Sequence, residues 1–210
     1  MHLSMFFEPL ISVLKDSSRP VFLFGLTPPR EGTKEENAKS SCIKFAARSA
    51  VLAADGFIVY DIQEENSRTH IERPFPFKKT LDPAWYASLF LEATGKSCVV
   101  YKSVIEESLE SFDSWIDTAF NTYGHNTFTL VGAPSSKQEY KGPTLLEAMN
   151  HLKGRQETYF GSVCIPERHT TKGNESANMV RKIENGSDWF ITQGIYSTTP
   201  IIKCYSINYF

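Results

Sequence analysis

Six short runs of β-branched and aromatic residues punctuate the chain: "VFLFGL" (21–26), "GFIVYDI" (56–62), "SCVVYKSV" (97–104), "NTFTLVG" (126–132), "YFGSVCI" (159–165) and "DWFITQ" (188–193). Between them lie stretches in which apolar positions recur every three or four residues, at 34–54, 84–94, 105–120, 144–151 and 174–184. The short continuous runs read as buried strands and the longer periodic ones as amphipathic helices. Strict alternation of the two predicts a parallel sheet joined by right-handed crossovers, with helices over its faces.

An open doubly wound sheet and a (β/α)8 barrel both satisfy that alternation, and the first loop separates them. A dinucleotide-binding open sheet places a glycine-rich turn after its first strand, whereas "LTPPREGTKEE" has Pro28 and Pro29, which force an extended exit. The barrel fits better. Its strand ends would gather Gly25, Thr27, Asp61, Gln63, Glu64, Gly132, Glu167, His169 and Gln193 at one polar mouth. After the sixth run, "YSTTPIIKCYSINYF" reads as a loop and the start of a helix with Pro200 near its first turn. The prediction is therefore an α/β fold, an incomplete TIM-type barrel of about six strand–helix units with two exposed sheet edges, such as a truncated product or gene model would give. Residues 1–19 are expected to form an N-terminal docking helix, and 20–210 the barrel domain.

Composition narrows the class without changing that picture. With 22 basic against 24 acidic residues and a formal charge of -2, the chain lacks the cationic excess that nucleic-acid phosphates require. The four cysteines form no C-x-x-C pair, which argues against a zinc ribbon, a dithiol redox motif or a secreted disulfide scaffold and makes the cytoplasm the expected compartment. The apolar "MFFEPLISVL" is interrupted by Glu8 and Pro9 and is too short for a membrane span, so no membrane partner is expected. The Asn174 and Asn185 sequons fall in and at the end of a predicted helix and read as chance matches. Self-association is left open.

In order along the chain, "FGLTPPREGTKEEN", "NSRT", "LVGAPSS", "CIPERH" and "DWFITQGIY" resemble methylenetetrahydrofolate reductase, over roughly residues 20–203. That resemblance implies a flavoprotein barrel of one-carbon metabolism in which NAD(P)H reduces FAD. The reduced flavin then converts the substrate, methylenetetrahydrofolate, to methyltetrahydrofolate for methionine biosynthesis. By position, it implies that Glu175, Asn178, Arg181 and Lys182, with His169 on the preceding loop, hold the dinucleotide end of FAD. Arg and Lys one turn from Asn and Glu can hold a pyrophosphate and a ribose by charge-assisted hydrogen bonds, although such a face is also what a solvated helix shows. Tyr140 matches a tyrosine over the flavin, and Gly132 lies at the flavin-side end of the fourth strand. Arg68 and Thr69 match an Arg-Thr pair after strand two, where a helix-start role is as good a reading as ligand contact. Gln193, on the strand tip, is implied to meet the folate or nicotinamide ring; the alternative is a bond to a neighbouring loop.

The departures fall where chemistry would be done. The family's Phe-Glu-Phe-Phe-Pro-Pro, whose glutamate supplies the proton that opens the folate ring, is here "FGLTPP", so the acid position is Gly25. The Arg-Gly-Asp at the end of strand four is replaced by Val131, Gly132 and Ala133, and the strand-three histidine gives way to Tyr101 and Lys102 nearby. Loss of a positioned acid commonly costs about 10²- to 10⁴-fold in rate. Asp61, followed by Glu64 and Glu65, is the candidate for a relocated acid, against a capping or solvated role. Three readings stand: a diverged flavin-dependent reductase, a folate- or C1-binding barrel without that chemistry, and an inactive fragment.

Overall fold

A computed structural model of the protein describes residues 10–64, 77–105, 107–133, 139–156 and 158–205. Six parallel strands, β1 (Leu23–Leu26), β2 (Gly56–Val59), β3 (Cys98–Ser103), β4 (Thr127–Val131), β5 (Tyr159–Cys164) and β6 (Phe190–Thr192), lie side by side in chain order. Each pairs with the next, from Leu23 opposite Gly56 through Cys164 opposite Thr192. The sheet curls into an incomplete α/β barrel, and the alternation read from sequence is the cause.

The helices between the strands are α2 (Glu35–Ser49), α3 (Pro83–Thr94), α4 (Leu109–Asn121), α5 (Leu145–Leu152), α6 (Pro166–Lys172) and α7 (Glu175–Glu184), with α1 (Leu10–Lys15) before the sheet and α8 (Thr198–Tyr205) after it. Local chemistry fixes their ends. Asp82 accepts a hydrogen bond from the Trp85 N–H to start α3, which stops at Gly95 with φ 69°, a left-handed value that glycine adopts without strain. Thr144 and Glu147 form a reciprocal capping box at α5. The expected helix at 34–54 ends sooner, at Ser49, and the "CIPERH" loop contains a helix, α6, with Pro166 in its first turn where a missing N–H costs nothing.

Each strand divides its side chains between two cores, as a period of two demands. Phe57, Val59, Val100, Phe128 and Leu130 face the helices and pack with Phe90, Phe112 and Ile116. Ile58, Val99 and Tyr101 face the concave side, where Leu10 and Val13 of α1 join them and Leu23, Tyr60, Val131, Val163, Trp189 and Ile191 pack alongside. Gly161 is small because Trp189 crosses it: a β-carbon there would lie 2.2 Å from the indole Nε1. Cys42, Cys98, Cys164 and Cys204 are all free and buried. Burial pushes the Cys42 thiol up to about 11 and that of Cys164 to about 12. Cys164 donates to Met179 Sδ at 3.4 Å and Cys204 does so at 3.9 Å, joining β5, α7 and α8 through sulfur. No helix among the described residues is long and apolar enough to cross a membrane.

Candidate functional site

The C-terminal ends of the strands surround a cavity of about 720 Å³. Its floor is aromatic and aliphatic. Tyr60 and Tyr101 meet edge to face with ring centroids 4.9 Å apart, beside Val131, Val163 and Ile191. Its rim is cationic and polar, with Arg168, Asn178, Arg181, Lys182 and Gln193. No carboxylate lines it among the described residues.

Gln193 reaches the cavity because β6 alternates: Ile191 belongs to the concave core, and two residues later Gln193 continues on that side. Its backbone N–H donates to Cys164 O at 2.9 Å, tying the tip of β6 to that of β5, and its side chain is exposed. Among the described residues its amide has no protein partner.

The α7 positions separate by role. Glu175 is fully buried: its Oε1 accepts from the Ile165 N–H at 2.8 Å, and its Oε2 from Asn178 Nδ2 at 3.2 Å. One oxygen serves the turn after β5 and the other the next turn of α7, so Glu175 braces the site from behind, and it is not among the cavity-lining residues. The Arg181 guanidinium donates to Asn178 Oδ1, which leaves most of its fork of donors open to solvent and the cavity. Lys182 donates to Val163 O at 2.6 Å, and burial lowers its pKa while the Glu175 carboxylate pulls it back up. A chain of contacts from Glu175 through Asn178 thus aims Arg181, and Lys182 is fastened to β5.

Other positions singled out from sequence lie elsewhere. Gly132 lines the cavity, with Leu145 so close behind it that a β-carbon would sit 3.0 Å from the leucine's own. Tyr140 packs against the helix-side core and is not among the cavity-lining residues. His169 sits on α6 and is not among the cavity-lining residues; its Nδ1 is buried without a partner among the described residues, as is Glu167 Oε2. Asp61 does not line the cavity: its Oδ1 accepts from Gln63 Nε2 and its Oδ2 from the Ser103 N–H, both at 2.7 Å, bracing the end of β2 against that of β3. Burial raises its pKa, while the Ser103 N–H and Lys102 oppose the rise. Arg68 and Thr69 fall outside the described residues.

Two contributors went unmarked in the sequence. Tyr60 was legible in principle, since it follows Ile58 by two residues and shares its face; Arg168 was not, because it depends on α6 forming inside a segment read as a loop. Tyr60 also gives Gly25 its meaning: a β-carbon at position 25 would lie 2.5 Å from the Tyr60 hydroxyl oxygen and 2.8 Å from ring carbon Cε2. The space a side chain at 25 would take already holds a phenol.

No protein-family model and no curated protein matches the chain. Among solved structures, an uncharacterized protein from Clostridium thermocellum that binds two copies of 5-methyl-5,6,7,8-tetrahydrofolic acid aligns with 89% of the chain at 25% identity and a TM-score of 0.71; the chain spans 59% of that protein's length. A candidate phosphonomutase from Burkholderia cenocepacia J2315 aligns at 12% identity and TM-score 0.51, over 85% of this chain and 72% of its own. A candidate lyase/mutase from the same organism aligns at 9% and 0.53, over 89% and 65%. At those identities the last two share the fold alone.

Proposed function

We propose that the chain binds a reduced folate at the C-terminal mouth of its half-barrel, as a C1-carrier-binding relative of the methylenetetrahydrofolate reductases. The observation that carries this reading is the composition of one cavity: an aromatic floor, a strand-tip amide and three cations, with, among the described residues, no protein partner for the amide and no carboxylate in the lining. A pterin is a flat heterocycle edged with donors and acceptors, and its glutamyl tail is anionic, so stacking, one amide pair and Arg or Lys contacts are the chemistry it needs. The folate-binding Clostridium thermocellum structure supports the same ligand class.

Gln193→Leu tests it. The change roughly conserves volume but deletes one donor and one acceptor, so binding of 5-methyltetrahydrofolate by calorimetry should weaken by about 1 to 3 kcal/mol while the thermal midpoint holds. A variant that loses stability and keeps its affinity would make Gln193 a brace between β5 and β6 and remove the amide from the reading.

A second reading, flavin-dependent reduction of methylenetetrahydrofolate, is favoured by Arg168, Arg181 and Lys182 lining the same cavity as Gln193. These cations suit the pyrophosphate of FAD, and a bound flavin would supply the hydride taken from NAD(P)H; His169 is not among the cavity-lining residues and adds nothing to this reading. Glu175 contributes only by orienting Asn178 and Arg181. If this reading holds, the purified protein shows visible flavin absorbance, and replacing Arg181 and Lys182 by alanine weakens FAD binding about tenfold in a titration. Unchanged affinity would make that helix face merely solvated.

A further inference from the structure

Tyr60 stands just beyond β2, its backbone N–H donating to Leu26 O at 3.0 Å, so it continues the ladder between β1 and β2 and projects on the concave side like Ile58. Its ring crosses the bare backbone of Gly25 and rests edge to face on Tyr101. Those two contacts fix the ring from both sides, and at Gly25 only a missing side chain permits the approach. Tyr60 lines the cavity, with its hydroxyl over Gly25, and among the described residues that hydroxyl has no hydrogen-bond partner. A phenol offers one donor and accepts through its lone pairs, and its near neighbours in the floor, Val131, Val163 and Ile191, offer nothing in return. The group is positioned, half-buried and unanswered among the described residues, which is the arrangement of a side chain that waits for a ligand atom.

We propose that Tyr60 determines ring specificity in this cavity: its phenol hydrogen-bonds the edge of a flat, uncharged heterocycle that packs over the aliphatic part of the floor, Val131, Val163 and Ile191, while Gln193 meets the ring from the rim. The inference rests on the folate reading and deepens it, because it assigns the ring recognition to a residue outside every motif that carries the family resemblance. Gly25 and Tyr60 act as one unit. The position that carries an acid in the reductase family has lost its side chain here, and the space is given to a group that holds the ring through a neutral hydrogen bond.

The test is titration of the purified full chain with 5-methyltetrahydrofolate, comparing wild type, Tyr60→Phe and Gly25→Ala, with thermal midpoints recorded alongside. Tyr60→Phe keeps the ring and its packing and removes only the hydroxyl, so affinity should fall about 3- to 12-fold at an unchanged midpoint. Gly25→Ala leaves the phenol in the chain but pushes it off its seat, and should weaken binding to a similar degree. Wild-type binding with an unaltered Tyr60→Phe affinity overturns the role of the phenol and leaves the folate reading standing. Absence of binding by the wild type overturns both. Should Tyr60→Phe also lower the midpoint, Gly25→Ala decides: a weakened affinity supports the proposal, an unchanged one refutes it.

Discussion

If the cavity takes a folate as proposed, Gly25→Glu is expected to lower its affinity about a hundredfold, about 2.7 kcal/mol, and to confer no reductase activity, even though it installs the acid that methylenetetrahydrofolate reductases carry at the position Gly25 resembles. The β-carbon alone would lie 2.5 to 3.0 Å from the Tyr60 hydroxyl and ring, so Tyr60 must swing away and abandon Tyr101. Forced repacking of this kind costs about 1 to 3 kcal/mol, and the new carboxylate would press against a largely apolar floor in which its nearest donor is the hydroxyl it displaces. Removing the obstruction should separate the two effects: Gly25→Glu with Tyr60→Ala is expected to regain most of the lost thermal midpoint without regaining affinity. The measurements are a folate titration, a thermal melt and a hydride-transfer assay with NADH and NADPH. A single Gly25→Glu protein that binds as wild type would show that the tyrosine yields its place freely, and Gly25 would then have no part in seating the phenol.

Glu175→Ala should be the most destabilising single change in the site, by about 3 kcal/mol, although the residue never touches the cavity. Its side chain is fully buried and answers two donors, the Ile165 N–H and the Asn178 amide, in a region that also holds the Lys182 ammonium. Truncation leaves the Ile165 N–H and the Asn178 amide without their acceptor and takes a carboxylate away from the neighbouring Lys182 ammonium, which keeps its bond to Val163 O; a donor left unsatisfied in such a place costs about 1 to 3 kcal/mol, and two are left here. In a chain of 210 residues that shifts the thermal midpoint by roughly 6 to 12 °C. Glu175→Gln retains an acceptor for Ile165 and should lose about half as much. Equal midpoints for wild type and Glu175→Ala would mean that α7 is held by its apolar contacts, chiefly Met179, alone.

The sheet was legible in the sequence because a buried parallel strand has to be a short, continuous apolar run, and each run fell on a strand: 97–104 on Cys98–Ser103, 126–132 on Thr127–Val131. The barrel followed from Pro28 and Pro29, which deny the first loop a phosphate-binding turn. What escaped was anything decided across strands. Asp61 reads in sequence as a free acid at a strand end, yet the Ser103 N–H that occupies it lies 42 residues away. Glu175 reads in sequence as part of a helix face that either holds a dinucleotide, by resemblance, or is solvated, but α7 rolls that position inward onto the β5 turn. Gly25 reads as a loss, and only the Tyr60 ring lying over it shows what the loss accommodates.

The four buried thiols give the molecule two internal clocks. A thiol reacts with an alkylating reagent as its thiolate, and burial withholds both the reagent and the ionised form, so each sulfur is modified only while its surroundings are open. Cys42 and Cys98 belong to the helix-side core around α2, α3 and β3, and Cys164 and Cys204 to the sulfur contact behind the β5 tip. The pace at which each pair takes up label in native buffer therefore times the breathing of its own region, one beneath the early half of the sheet and one directly behind the cavity wall, with no cysteine having to be introduced.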